Sequence, residues 1–420
     1  MTEHYQGPCA VERSADAVRG SQEEDTLCLS PVPSGPDVDV KGMTAGGFTK
    51  DTLVSTSEGP FHSGVLCRAD KKPEVVTRDG SVLKSGGVTY RGRQEVFGLL
   101  TDSAYIKGTA SHRVLRITPA CTLEMAELSC LRKGDFVICQ KGVFGSEVPE
   151  YEGETLDVSE AQELGRHISN MSANHHAQIP GRPLSDKFCN KTGYFSINIY
   201  NVLNRFDNFS YRVPDKLLCA PAAFIAAYLR GFFDGGTRFH LNRITATAAC
   251  RELASDIVYL LSLFGINGRI MHTRTGFEVV IADASDIHLF IREIGFLNEH
   301  DFSDSGSVPV STGIDYQALC DEYRMKASAL SQEVTALPET LAELLGDLGR
   351  YKDSFIQLGL DNKFETLVLL SQPGSRVTGV TAYAMYTGRE DVFGVIQEAE
   401  AGSPAWCASG IVVSDSGEAA

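Results

Sequence analysis

Two β-patterned stretches, residues 47–140 and 375–415, stand apart in the chain, and neither has enough strands to close a core alone. The first runs through TLVST, EVFGLL, HRVLRI and DFVIC, with Gly and Asp turns between them. The second contains VTGVTAYAMY, DVFGVIQ and AWCASGIVVSD. Left to itself, each would expose unpaired sheet edges, so the economical solution is that the two complete one another. Between them the apolar period lengthens to that of helices. AAFIAAYLRGFF and ELASDIVYLLSLFG (ended by Gly265) read as helices, FEVVIA as a strand, SDIHLFIREIGF as a helix, and ETLAELLGDLGRYKDSFIQLGL as further helix. The expected fold class is mixed: an all-β domain split by an inserted α+β domain, since insertion is tolerated at loop tips.

The expected boundaries are a disordered arm over 1–46 and the first part of the β-domain over 47–145. The insert spans 150–302 and a mostly helical connection 303–370; the second part of the β-domain covers 371–416 and a tail 417–420. The arm contains PVPSGPDVDV, which buries little apolar surface. Its opening, MTEHYQGPCAVERS, has no apolar core and does not read as a secretory signal. Of 420 residues, 54 are acidic and 38 basic, for a net charge of -16, which excludes a protein whose whole surface seeks nucleic acid or anionic lipid. No apolar run reaches the roughly 18 residues of a membrane span. Eleven cysteines without a C-x-x-C pair suggest reduced thiols, hence a cytoplasmic or nuclear location. Neither a membrane nor a small-molecule substrate is expected as a partner, and the chain reads as a monomer.

The two β segments together resemble the Hint fold of inteins. Five stretches occur in the family's order: GFTKDTLVSTSEG (47–59), TASHRVLRITPA with Thr109 and His112, LRKGDFVIC (131–139), DVFGVIQ (391–397) and SGIVVSDS (409–416). The resemblance implies protein-splicing chemistry. A Cys or Ser at the first position attacks the preceding peptide carbonyl, and a His protonates the leaving amide. A Thr orients the bond, a terminal Asn cyclises after a His, and a following Cys, Ser or Thr accepts the acyl group. Here Thr109, His112 and Ser416 match, whereas Gly47 replaces the nucleophile, Ser414 the penultimate His, Asp415 the terminal Asn, and Gly394 the Asp of the Val-aromatic-Asp strand. An ionised carboxylate is a poor nucleophile toward its own peptide bond, so splicing is expected to be lost and His112 to be a structural histidine. Ser416 is followed by Gly-Glu-Ala-Ala, which leads to the expectation of a free-standing chain. Cys407 is expected to be a core residue.

The insert resembles the LAGLIDADG homing endonucleases. VPDKLLCAPAAFIAAYLRGFFDGGTRF (213–239) looks like the second signature helix, followed by RITATAA, RELASDIVYLLSLFGINGRI, GFEVVI and IREIGFLNEHD. The family packs two such helices together through small residues such as Gly231. Each ends in an acid that holds a divalent metal, Mg²⁺, at a scissile phosphate. In this sequence Gly236 stands where the second acid is expected, and Asp234 is the nearby carboxylate that a shifted register would bring to metal. The first signature helix is assigned to SEAQELGRHISNMSAN, with Gly165 as the packing glycine and Asn170 at the acid position. Asn keeps an oxygen but not the charge that hard cations prefer. His175-His176 is too short a run for a metal site.

Double-stranded DNA is the implied partner, with Arg238, Arg243, Arg269 and Arg274 as candidates to line one strand face. Residues 150–300 hold 17 acids against 14 bases, so binding is expected to be weak and salt-sensitive. The sequence therefore reads as an intein-derived protein that does not splice, with DNA cleavage weakened or lost. The alternatives are a domesticated DNA-recognition protein, or an active site-specific endonuclease using Asp234 with an acid such as Asp157.

Overall fold

The computed structural model describes residues 46–151, 154–175, 212–240, 243–273, 276–297, 312–330, 334–382, 384–397 and 405–414. The expectations for residues 1–45, His176, Arg274, Asp415, Ser416 and the tail lie outside these.

From the first β segment come β1 (Phe48–Thr49), β2 (Leu53–Thr56), β3 (Gly59–His62), β4 (Glu74–Val76), β5 (Val82–Leu100), β6 (Tyr105–Gly108), β7 (Arg113–Ile117), β8 (Leu123–Glu127) and β9 (Phe136–Gln140). A short helix, α1 (Ser63–Arg68), follows β3. The small pair β10 (Glu150–Tyr151) and β11 (Glu154–Thr155) leads into the insert. The last segment supplies β16 (Ser375–Gly379), β17 (Met385–Gln397), β18 (Trp406–Ala408) and β19 (Ile411–Ser414).

These strands form one antiparallel sheet in the order β16-β9-β7-β19-β18-β2-β4-β5-β17-β1-β6, with β3 on β2 and β8 on β7. The late strands are interior partners. β19 lies against β7 and β18, and β17 lies between β5 and β1. Removing either segment would leave the other with open ladders. β18 and β19 are buried at every position, which explains their continuous apolar sequence in place of strict alternation. They join Phe48, Val54, Leu99, Val114, Val137 and Phe393 in one core.

In the insert, α2 (Val158–His175) and α4 (Ala222–Gly236) pack together, with α3 (Asp215–Leu218) before α4. The four-stranded sheet has the order β12 (Thr237–His240), β13 (Arg243–Ala248), β15 (Gly276–Ile281), β14 (Arg269–Thr273). α5 (Arg251–Leu263) and α6 (Ala284–Glu293) complete the αββαββα run. Gly265 ends the α5 turn at φ +81°, a conformation that favours glycine.

α5 explains how the insert meets the β unit. Leu253, Ile257, Leu260 and Leu261 enter the insert's core, while the helix's buried polar residues reach across. Tyr105 N donates to Ser255 Oγ at 2.9 Å, and Tyr259 and Ser55 hydroxyls lie 2.7 Å apart. Leu53 of the β unit belongs to the insert's apolar cluster, with Phe61, Leu100 and Phe144 packed against it. The two parts therefore share a core across the boundary rather than meeting only through linkers.

α7 (Tyr316–Leu330), α8 (Leu341–Gly346), α9 (Lys352–Gln357) and α10 (Asp361–Ser371) form the helical connection around Leu319, Tyr323, Leu344, Phe355 and Leu367. The run expected as continuous helix from Glu339 breaks into α8, a 3₁₀ turn over Leu348–Tyr351, and α9. Gly346, Gly349 and Gly359 supply the breaks. Buried Lys363 ties this unit to the β domain by donating to Ala120 O at 2.7 Å, while pairing with Glu322. Among the described residues, no helix is long and apolar enough to cross a membrane.

Candidate functional site

The Gly46–Gly47 peptide bond lies at the centre of the β unit, held by residues far apart in sequence. Gly47 N donates to Thr109 Oγ1 at 3.1 Å, and Thr109 N returns a bond to Gly47 O at 2.8 Å. The Gly46 carbonyl accepts from Arg91 Nη1. Both ends of one peptide group are thus gripped, N–H by a hydroxyl and C=O by a guanidinium. Arg91 was not among the residues singled out from sequence. It reaches the bond only because β5 pairs with β17, and no local motif marks it.

Space at the first position is closed. A Cβ added to Gly47 would meet Val392 Cγ1 and Phe393 O, each at 2.5 Å. Opposite, a Cβ at Gly394 would overlap the Arg91 guanidinium, which therefore fills the volume a side chain at that strand position would need.

His112 is 1% exposed, and its ring packs edge-to-face on Phe48 with centroids 5.9 Å apart. Burial, and next the positive Arg91, pull its pKa down to about 3, so the imidazole is neutral at physiological pH. Ser414 is buried on β19 opposite Arg113, one residue from His112. The arrangement brings Gly47, Thr109, His112 and Ser414 into one core region. Cys407 lies in the interior with Sγ 3.7 Å from Thr77 O, and burial pushes its thiol far above the range where a thiolate forms.

The second candidate site is the crossing of α2 and α4. A Cβ at Gly165 would overlap Tyr228 O and lie 2.9 Å from Phe232 N. One at Gly231 would overlap Gln162 O and lie 3.0 Å from Arg166 N. The backbones touch, and only glycine permits it. Asn170 and Gly236 follow these two glycines at equal spacing, Asn170 exposed on α2 and Gly236 the last residue of α4. The Asp234 carboxylate accepts from Leu297 N at 3.3 Å through both oxygens, so it fastens the chain after α6. Asp157 caps α2 by accepting from Glu160 N at 2.8 Å. Since Gly235 abuts Arg166 and Ser169, Asp157 lies about 16 Å along the helix from the level of Asp234, too far to share an ion.

The donors at this crossing do not suit a hard divalent cation. Gly236 has no side-chain oxygen, Asn170 offers a neutral one, and Asp234, whose carboxylate accepts from Leu297 N, is the single charged oxygen donor of the three. Among the described residues, no three His, Cys, Asp or Glu side chains cluster to hold a metal.

The candidate DNA-contacting arginines separate. Arg238 and Arg243 sit on adjacent β12 and β13, where Arg238 pairs with Thr245 and Arg243 with His240. Arg243 is exposed. Arg269, on β14, instead lines a cavity against the β unit. A polar network at the same boundary was also missed from sequence. Arg212 grips the buried Asp256 at 2.6 and 2.7 Å and donates to Asp51 O at 3.0 Å. Its Nη2 lies 3.1 Å from His62 Nε2, and His62 Nδ1 meets Asp215.

Residues 223–295 match the LAGLIDADG-like domain family. The probable translation initiation factor IF-2 of Thermococcus kodakarensis is 38% identical over 89 residues, 21% of this chain and 8% of that protein. A DNA gyrase subunit of Mycobacterium leprae is 24% identical over 268 residues, 53% of this chain and 21% of that protein. The chain thus spans about a fifth or less of the length of these relatives. A crystal structure of a mutant Ssp DnaB mini-intein aligns with 24% of this chain and 66% of its own, at 22% identity and a TM-score of 0.20. The fold is mixed, a large antiparallel β unit with a LAGLIDADG-like domain inside it.

Proposed function

We propose that this chain is an intein-derived protein that no longer splices, and that its LAGLIDADG-like insert recognises duplex DNA with cleavage weakened or lost. One observation carries the reading: glycine occupies the reacting position at both sites. Gly47 offers no nucleophile, and the space for one is filled by Val392 and Phe393. Gly236 offers no metal ligand at the end of α4. The surrounding grip on the 46–47 peptide and the glycine-mediated helix crossing persist, which supports descent from working sites. The relatives support it too. An initiation factor and a gyrase subunit share no common activity in their names, yet each matches this chain over a small part of its length, as an insert in unrelated hosts would.

Two assays on one preparation test the reading. Cloned in frame between two reporter domains, the chain should yield no ligated reporter. In gel shift it should retard duplex DNA at low salt, with affinity falling steeply as salt rises, and should leave supercoiled plasmid intact with Mg²⁺. Ligated reporters would overturn the first half. Linearised plasmid that is lost in Asp234→Ala would overturn the second, and would identify Asp234 as a metal ligand after all.

A further inference from the structure

The strand β6 runs from the insert to the 46–47 peptide. At its first residue, Tyr105, the main-chain N–H donates to Ser255 Oγ of α5 at 2.9 Å. Arg251, one turn earlier on the same face of α5, holds its guanidinium over the Tyr105 ring, 4.3 Å from the centroid. The turn before β6 is held by the insert as well, since Ile270 N of β14 donates to Asp102 O. Tyr105 and Ser255 are both nearly buried.

At the other end of the strand, Gly108 pairs with Phe48 of β1. A Cβ at Gly108 would stand 2.9 Å from Gly47 O, so strand and peptide touch. Thr109 follows at once. Its N–H donates to Gly47 O and its Oγ1 accepts from Gly47 N, while its own carbonyl accepts from His112 N at 3.1 Å.

Between these ends β6 has little freedom. It is four residues long, and one edge is laddered to Phe97–Leu100 of β5. Lys107 is tied to Glu390 of β17 at 2.8 Å. At a rise of about 3.3 Å per residue, the Ser255 contact and the Thr109 grip stand roughly 13 Å apart along one short strand. A strand fixed in this way passes a displacement on to its far end, because packed interiors do not deform continuously.

We propose that Ser255 and Arg251 are positioning residues for the 46–47 peptide. Acting through β6, the insert sets where Thr109 stands and keeps both of its bonds to Gly47 closed. An inserted domain hung only on linkers would leave that centre unaffected. The inference concerns how the peptide is held, so it does not depend on whether the insert binds DNA or whether the chain splices.

The test is amide hydrogen exchange of the full chain, read at Gly47 and Thr109. Each of these amides bonds its partner in the grip, so its exchange reports local opening there. Ser255→Ala leaves the Tyr105 N–H without an acceptor and should speed both amides about fivefold or more, with the amides of α10 unchanged. Arg251→Ala should speed them by a smaller factor, and Arg251→Lys, which keeps a cation over the ring, should restore the parent rates. Ser262→Ala removes a hydroxyl that bonds Tyr259 O within α5 and should leave Gly47 and Thr109 as in the parent. Unchanged exchange at Gly47 and Thr109 in Ser255→Ala would overturn the proposal. If that variant does not fold by circular dichroism, unchanged exchange in Arg251→Ala would do so. Acceleration shared equally by α10, or reproduced by Ser262→Ala, would show a general loss of stability and overturn it too.

Discussion

Gly47→Cys would place a nucleophile at the first position of the proposed splicing centre, and the structure predicts that it fails to restore chemistry there. The new Cβ would stand 2.5 Å from both Val392 Cγ1 and Phe393 O, far inside the roughly 3.5–4.0 Å optimum of carbon contacts. Val392 can yield by a side-chain shift. Phe393 O cannot yield alone, because Phe48 pairs with Phe393 in the β1–β17 ladder. Overpacking of this kind costs about 1–3 kcal/mol, and the backbone contact places the expected loss at the upper end. Val392→Ala removes one of the two obstructions. In a double-mutant cycle, Gly47→Cys should therefore cost about 1 kcal/mol less in the Val392→Ala background. The assays are denaturant unfolding, and thiol-induced release of residues 1–46 followed by mass spectrometry. The reasoning fails if Gly47→Cys is as stable as the parent, or if thiol cleaves it efficiently between residues 46 and 47.

Gly165→Ala and Gly231→Ala should each destabilise by about 3 kcal/mol or more, since the added carbons would overlap main-chain oxygens of the opposite helix; a thermal melt within a degree of the parent would refute that packing. Arg212→Ala leaves Asp256, 1% exposed, without its bidentate partner, and should cost about 3–5 kcal/mol; a loss under about 1 kcal/mol by denaturant unfolding would show the network to be dispensable. Acid should act on the β unit through His112. Its folded pKa of about 3 lies below the unfolded value of 6.5, so the unfolded state takes up the proton first, and stability is full above pH 6.5 and lost as pH falls toward 3. His112→Gln should flatten that limb, while the limb between 3.8 and about 2 that Asp79 contributes remains; an unchanged profile of unfolding midpoint against pH would contradict the assignment.

What the sequence made legible was local and periodic. The strands DVFGVIQ and GIVVS carried enough apolar pattern to be placed, as did the helices AAFIAAYLRGFF and ELASDIVYLLSLFG. The 19 residues of β5 were legible only at their end, EVFGLL. Gly86, Gly87 and Gly92 read as turns, whereas in the structure Gly87 and Gly92, at positive φ, and three register shifts against β17 let a long ribbon bend without ending. α2 lacks an apolar run because it buries only part of its surface, on α4 and β13. The parts of the site that escaped detection depend on pairing between distant segments. Arg91 reaches Gly46 across the sheet, Arg212 reaches Asp256 and His62 across the unit boundary, and Arg269 faces the β unit rather than joining Arg243. No single-sequence pattern encodes such meetings, because each is set by the register of two elements at once.

The central claim is that a splicing centre has kept its grip on the 46–47 peptide and lost its nucleophile. The most direct measurement is the intact mass of the full chain, followed over days at neutral pH with and without thiol. The account predicts one species at 45.5 kDa throughout. A product in which Gly46 is joined to Ser416, with release of the intervening residues, would contradict it.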